Sequence, residues 1–247
     1  MKILASDMDG TLIFHRRAHL RDLFAIRKFQ KAGNKFGLCT GRFLTGAVDH
    51  NPRGLHPDFY IASSGAIILD KDLNVLFSKE IPYDVGEDIW NRYSKNYWML
   101  VQTASREKAY MTSVGWKEVI PVVKVTDYSI VKNENVHGLS IVVSTEEEAK
   151  EVAQEIVELY KDVSPFVNKN SIDIVPKGCS KGNGVKFIQE YFKNDTVAGI
   201  GDSYNDLPML EVADHSFTFK NSPKDIQEKV THIVKSVAQA IQILMEE

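Results

Sequence analysis

The sequence predicts an α/β fold in which a parallel-sheet core is interrupted by an inserted α+β segment. Three observations carry that reading. Short apolar runs alternate with helix-like stretches near both ends of the chain. Each such run closes in a turn rich in Gly, Asp or Ser. Between them, roughly from Tyr83 to Val175, the texture changes to several β-like runs, the clearest amphipathic helix, and all three tryptophans, Trp90, Trp98 and Trp116.

The elements follow in order. Residues 2–6 form a short apolar run that reads as a buried strand. From Leu20 to Lys31, apolar residues at Leu20, Leu23, Phe24, Ile26 and Phe29 make a helical stripe, and Gly33-Asn34 stops it. Residues 35–40 make a second strand ending in Thr40-Gly41-Arg42, and residues 59–62 a third, running into Ser63-Ser64-Gly65-Ala66. This spacing implies parallel strands with right-handed crossovers.

The insert begins with a helix around residues 85–93, followed by β-like runs at 98–102, 122–126 and 137–144. A helix over 146–160 comes next, with Ala149, Val152, Ala153, Ile156, Val157 and Tyr160 at helical spacing and a capping box of Thr145 with Glu148. After it, Ser180 is placed to cap a helix carrying Val185, Ile188 and Phe192. Residues 196–200 form a strand ending at Gly201-Asp202, and 207–213 a short helix that accommodates Pro208 in its first turn. The chain crosses between core and insert near Pro82 and Pro176, so the expected division is 1–82 with 177–247 for the core and 83–176 for the insert.

Composition excludes several functions. Apolar residues at 43% suffice for a packed core, and a net charge of −3 gives no electrostatic reason to expect nucleic acid or an acidic membrane. Arg16-Arg17 reads as solvated surface. Cys39 and Cys179 show neither disulfide nor metal-ligand spacing and read as small buried hydrophobes; the seven histidines show no ligand spacing either. No signal-peptide core and no membrane-length apolar run occur, so a cytoplasmic protein is expected.

Four short motifs carry the chemistry. Asp7-Met8-Asp9-Gly10-Thr11 follows the first strand, Thr40-Gly41-Arg42 the second, and Gly201-Asp202-Ser203-Tyr204-Asn205-Asp206 the last, while Lys181 opens a helix. Open α/β sheets bind ligands at the carboxyl ends of their strands, where these motifs fall. Alone, an Asp-Gly pair is a turn. A calcium loop from Asp7 fails, with Leu12 where glycine is required and Ala18 where glutamate is; the loop from Asp202 fails at Leu207 and Ala213. Gly199-Ile200-Gly201 lacks the third glycine of a dinucleotide site, and no Walker P-loop exists. Lys181 opposes the dipole of its helix, which is explained if both face a shared anion.

Taken together and in order, these motifs resemble the haloacid dehalogenase superfamily, and more narrowly its Cof-type phosphatases with a large α+β cap. Ile172-Asp173-Ile174-Val175-Pro176-Lys177-Gly178, leading to Ser180-Lys181-Gly182, is similar to that subgroup's return from cap to core. The resemblance implies a Rossmann-like core and a Mg²⁺-dependent phosphatase acting on a small phosphorylated metabolite, a sugar or cofactor phosphate. By the same resemblance Asp7 is the nucleophile that forms an aspartyl-phosphate and Asp9 the acid–base partner. Mg²⁺ is held by Asp7, the Asp9 carbonyl and Asp202, with Asp206 behind them. Thr40, Gly41, Lys181 and Asn205 hold the phosphate, and Arg42 stands nearby. Charge agrees. With Asp7, Asp202 and Asp206 ionised and a phosphate dianion bound, Lys181 and Arg42 leave three negative charges uncompensated, so a divalent cation is needed.

Ser64 departs from the pattern, which has asparagine there; serine still donates and accepts. Asn221-Ser222-Pro223 resembles a family loop near the site and equally reads as the cap of a helix over 224–230. Trp98, Tyr110 and Trp116 either pack the insert or stack on substrate. A phosphosugar mutase, or a non-catalytic phosphate-binding protein, is the alternative function.

Overall fold

The computed structural model describes residues 1–15, 17–49, 51–113, 121–194 and 196–246, so Arg16 and Trp116 lie outside the described residues. The chain opens with β1 (Ile3–Ser6), α1 (Leu20–Lys31), β2 (Lys35–Cys39), α2 (Leu44–Val48), β3 (Phe59–Ala62), β4 (Ile67–Asp70) and β5 (Val75–Ser78). The middle holds α3 (Tyr83–Tyr93), β6 (Trp98–Thr103), β7 (Ala109–Met111), β8 (Val122–Lys124), β9 (Val136–Val142), α4 (Glu146–Leu159), β10 (Val163–Asn168) and β11 (Ser171–Pro176). It closes with α5 (Lys181–Tyr191), β12 (Val197–Ile200), α6 (Leu207–Val212), β13 (His215–Phe219), α7 (Lys224–Gln227), β14 (His232–Val234) and α8 (Val237–Glu246).

Two sheets result. The first has the order β14-β13-β12-β1-β2-β3-β4-β5. In it β1 pairs in parallel with both β2 and β12, Ile3 standing opposite Lys35 and Val197. β4 and β5 are antiparallel additions that the sequence reading missed. Their turn is built by Asp70, whose carboxylate accepts from the backbone N–H groups of Asp72 and Asn74, an Asx-type signal present in the sequence. The second sheet, β10-β11-β9-β6-β7-β8, lies wholly in the insert. Ile89, Met99, Val101, Ile141, Ile156, Ile172 and Ile174 form the apolar core that joins this sheet to α3 and α4. β10 was also missed: it carries Pro165, which sheets accept at an edge, and β10 is an edge strand.

Local signals and tertiary contacts disagree at α1. Its bounds are as read, but Leu20 and Phe24 are 72% and 66% exposed, and the buried face is Asp22, Ile26 and Phe29. The buried Asp22 is satisfied by the backbone N–H of Ala238 at 2.8 Å, so it caps α8. At α4, Thr145 accepts from the Glu148 N–H at 3.1 Å, and the Glu148 carboxylate reaches back to the Ser144 N–H at 2.8 Å. α7 spans only four residues. Cys39 and Cys179 are both buried and free, and among the described residues no helix is long and apolar enough to cross a membrane.

Insert and first sheet are linked by His137 of β9, whose Nε2 lies 2.8 Å from the Ser78 hydroxyl of β5. Burial holds the His137 imidazole down at about 4. The unfolded chain takes up a proton near pH ~6.5 while the native state does not, so His137 removes stability as pH falls from ~6.5 toward 4. A shift of this size corresponds to about 3 kcal/mol at the low end of that window. His137→Gln is expected to flatten the pH dependence of denaturant stability between pH 6.5 and 4; an unchanged slope would show that His137 is already charged in the fold.

Candidate active site

Because β12, β1 and β2 are neighbours running in parallel, their carboxyl ends place Asp202, Asp7 and Thr40 side by side. Asp7 follows Ser6 directly and its N–H is tied to the Ile200 carbonyl at 2.9 Å, so β12 fixes the backbone from which the carboxylate projects. Gly10 turns the chain with φ +84°; a side chain there would meet the Asp202 carboxylate at 2.6 Å. The turn is thus glycine because it is left-handed and because Asp202 occupies its flank.

Lys181 is the centre of the site. Ser180 caps α5 by accepting from the Asn183 N–H at 3.0 Å, which puts Lys181 in the first turn. Its side chain is fully buried, and Nζ donates to Asp7 Oδ1 at 2.7 Å and to Asp206 Oδ1 at 2.6 Å. A solvated lysine is therefore ruled out. Burial works against the Lys181 charge, but Asp206 and Asp7 outweigh it and hold the ammonium above its ordinary range. The other Asp206 oxygen accepts from the backbone N–H groups of Asp202 and Ser203, at 3.0 and 3.1 Å. Asp202 is half-buried, and the Thr11 hydroxyl donates to it at 2.9 Å.

Oxygens of Asp7, Asp202 and Asp206 all lie within 4.8 Å of one another. Burial raises the Asp7 carboxyl well above the ordinary range, and Asp206 adds to this while Lys181 opposes it. Burial and then Asp206 likewise raise Asp202. With all three ionised, one ammonium leaves two negative charges in a buried volume. Clustered hard oxygens with surplus negative charge suit a divalent cation of the Mg²⁺ or Ca²⁺ kind, so the residues present fit a metal.

The remaining predicted residues line or border a cavity of about 830 Å³ between the strand ends and the inserted sheet. Asp9, Thr40, Gly41, Arg42 and Asn205 all line it. The Asp9 side chain is 56% exposed and held by Arg42 in a two-pronged pair, Nε to Oδ2 at 2.6 Å and Nη2 to Oδ1 at 2.5 Å. Thr40 Oγ1 accepts from the Arg42 N–H at 3.1 Å. Asn205 Oδ1 accepts from the Ser203 hydroxyl at 2.7 Å. Ser64 is buried with φ +47°, and Ser63 beside it with φ +45°. Such non-glycine conformations cost on the order of 1 kcal/mol each; asparagine tolerates them better than serine, a physical reason for the residue that the resemblance leads one to expect at Ser64.

Of the aromatics, Trp98 lines the cavity, whereas Tyr110 packs inside the insert with its hydroxyl donating to Glu134 at 2.6 Å. Thr218 donates its hydroxyl proton to the Gly201 carbonyl at 2.7 Å and accepts from the Ser222 hydroxyl at 2.8 Å. The segment 221–223 thus buttresses the Asp202 loop. Among the cavity residues not singled out from the sequence as part of a site, the acidic one is Asp173 of β11, whose Oδ2 stands 2.5 Å from where a Gly41 side chain would begin. The only sequence signal was a charged residue inside the otherwise apolar run 172–175.

Known proteins resemble this chain over nearly its whole length. Residues 4–241 match the haloacid dehalogenase-like hydrolases. The chain is 24% identical over 272 residues to 5-amino-6-(5-phospho-D-ribitylamino)uracil phosphatase YwtE of Bacillus subtilis, covering 96% of this chain and 93% of that one. A haloacid dehalogenase-like hydrolase from B. subtilis superposes with a TM-score of 0.86 at 19% identity, over 97% of this chain and 96% of the other. The subclass IIB sugar phosphatase BT4131 superposes with a TM-score of 0.78 at 20% identity, over 99% of both chains. With the match spanning nearly the whole length, this chain belongs to the haloacid dehalogenase-like hydrolases, an enzyme family whose members here include phosphatases.

Proposed function

We propose that the protein is a Mg²⁺-dependent phosphatase that hydrolyses the phosphomonoester of a small metabolite, a sugar or cofactor phosphate, through an aspartyl-phosphate on Asp7. The observation that carries this reading is the fully buried Lys181 ammonium between Asp7 and Asp206, with Asp202 close by, at the carboxyl ends of parallel strands. The names of the B. subtilis relative and the solved sugar phosphatase support the substrate class.

In this reading residues 1–82 and 177–247 are the catalytic core and 83–176 the cap. Asp7, Asp202 and the Asp9 carbonyl would hold Mg²⁺, which when bound supplies the positive charge needed to bring a phosphate dianion against a carboxylate. A carboxylate oxygen of Asp7 attacks phosphorus as the ester oxygen leaves. Asp9 enters the step protonated, with one carboxyl oxygen turned from the Arg42 fork to the ester oxygen; it gives that oxygen its proton and then takes one from the water that attacks the aspartyl-phosphate. Thr40, the Gly41 backbone, Lys181 and Asn205 hold the phosphoryl oxygens, and Asp206 positions Lys181 and the Asp202 loop.

The test is phosphate release from a panel of sugar and cofactor phosphates with Mg²⁺, then with EDTA. Release is expected with Mg²⁺ alone, without a bisphosphate activator of the kind a mutase requires. Chelation should lower it by on the order of 100-fold or more, and added Mg²⁺ should restore it. Activity indifferent to EDTA overturns the mechanism.

A further inference from the structure

The inserted sheet presents one face to the cavity, and that face is divided. Strand side chains alternate, so Gln102, Ser140 and Asp173 point toward the cavity while Val101, Ile141 and Ile172 point into the insert's own core. Leu100 pairs with Ser140 and Ser140 with Asp173, which sets the three in one cross-strand row. Toward β7 the row is apolar, with Leu100 and Met111. Toward β11 it is polar.

The polar end is wired asymmetrically. The Ser140 hydroxyl donates to Asp173 Oδ1 at 2.8 Å, and Gln102 Nε2 donates to Ser140 at 2.7 Å and reaches Asp173 Oδ1 at 3.5 Å. Both donors are thus spent on one carboxylate oxygen. Oδ2 has no donor among the described residues and stands over Gly41, in the turn Thr40-Gly41 that the proposed function assigns to the phosphate. The Gln102 carbonyl oxygen is buried and also without a partner among the described residues. A buried acceptor left unpaired is costly; the Gln102 oxygen is one, and beside it the half-buried Asp173 turns its free Oδ2 to the cavity at the phosphate site, so the pair calls for a ligand that brings donors. Burial pushes the Asp173 carboxyl up to about 6, with Ser140 and Lys181 pulling it down, so it is mainly an acceptor at neutral pH.

We infer that Asp173 and Gln102, held by Ser140, bind hydroxyl groups on the carbon chain next to the phosphoester, making Asp173 a specificity-determining residue for phosphorylated polyols. This rests on the phosphatase reading and names its substrate class. Gly41 belongs to the same device, because any side chain there would occupy the space of Asp173 Oδ2.

The test compares two five-carbon phosphates, D-ribitol 5-phosphate and n-pentyl phosphate, which differ in their hydroxyls. In the wild type kcat/KM should favour the polyol. Asp173→Asn, a near-isosteric change checked by thermal melting, should lower kcat/KM for ribitol 5-phosphate by about 10- to 100-fold, the range for a hydrogen bond to a charged group. The loss on n-pentyl phosphate should be at least tenfold smaller. Gln102→Leu should show the same split more weakly. Equal losses on both compounds, no loss on either, or a wild type that prefers n-pentyl or 2-aminoethyl phosphate overturns the inference. If wild type releases no phosphate from any of them or from the panel of sugar and cofactor phosphates, the phosphatase reading fails, and the comparison moves to calorimetric binding. Ribitol 5-phosphate binding no tighter than n-pentyl phosphate then overturns the hydroxyl site too.

Discussion

Asp7→Asn is expected to lower phosphate release by on the order of 10⁴-fold or more, since removing a nucleophile removes the reaction path rather than one contact. The same change should not unfold the protein. Burial and Asp206 hold the Asp7 carboxyl above its ordinary range. Its ionisation therefore costs native stability, a cost absent below the unfolded value near ~3.9 and growing as pH rises through it. Asparagine keeps the shape without the charge, so at neutral pH in EDTA the variant should melt at or above the wild type. In Mg²⁺ the order should narrow or reverse, because only the wild type keeps all three clustered carboxylates and gains binding stabilisation, about 2.7 kcal/mol at a hundredfold excess over Kd. Thermal melts with EDTA and with Mg²⁺, beside phosphate release, measure all of this. A variant that keeps more than about 1% of activity would remove Asp7 from the nucleophile's role.

Lys181→Met should be the most damaging change to the fold. Methionine fills similar space but leaves Asp7 and Asp206 facing each other without the ammonium that now lies 2.7 and 2.6 Å from them. Breaking a buried pair by removing one partner costs about 3–5 kcal/mol, and here one cation serves two carboxylates. The loss should be largest at neutral pH and shrink in acid, where protons take over the countercharge. Lys181→Met combined with Asp206→Asn should recover part of the stability, since it deletes one of the two stranded charges, but no activity. Urea unfolding from pH 5 to 8 measures this. A single variant as stable as the wild type at pH 8 would mean that the carboxylates are already protonated and need no countercharge.

Much of the site could be read in the chain because its residues are local to strand ends. Asp7, Thr40 and Asp202 each stand within two positions of a strand's last residue, and a parallel sheet has only one edge at which such residues meet. Lys181 was legible through a conflict, a cation in a helix's first turn, and its burial between two carboxylates is the resolution. The α1 stripe was misleading, because helical spacing says which residues share a face but not which face the fold covers. There Asp22 goes inside to cap α8, and Leu20 and Phe24 stay out. β4, β5 and β10 escaped because antiparallel strands added beside β3 and β11 carry no strand–helix alternation to mark them, and Pro165 masks β10.

By itself, then, the sequence determined the alternation of strand and helix, the interruption by an insert, and the four motifs with their order. These depend on periodicity and turn chemistry, which are properties of neighbours in the chain. Tertiary structure decided that Lys181 bridges Asp7 and Asp206, that Arg42 grips Asp9, and that Asp173 leans over Gly41 from the other sheet. Such contacts join residues up to 174 positions apart. At Lys181 burial removes the water that would otherwise satisfy each charge separately, so each must find its partner in the fold.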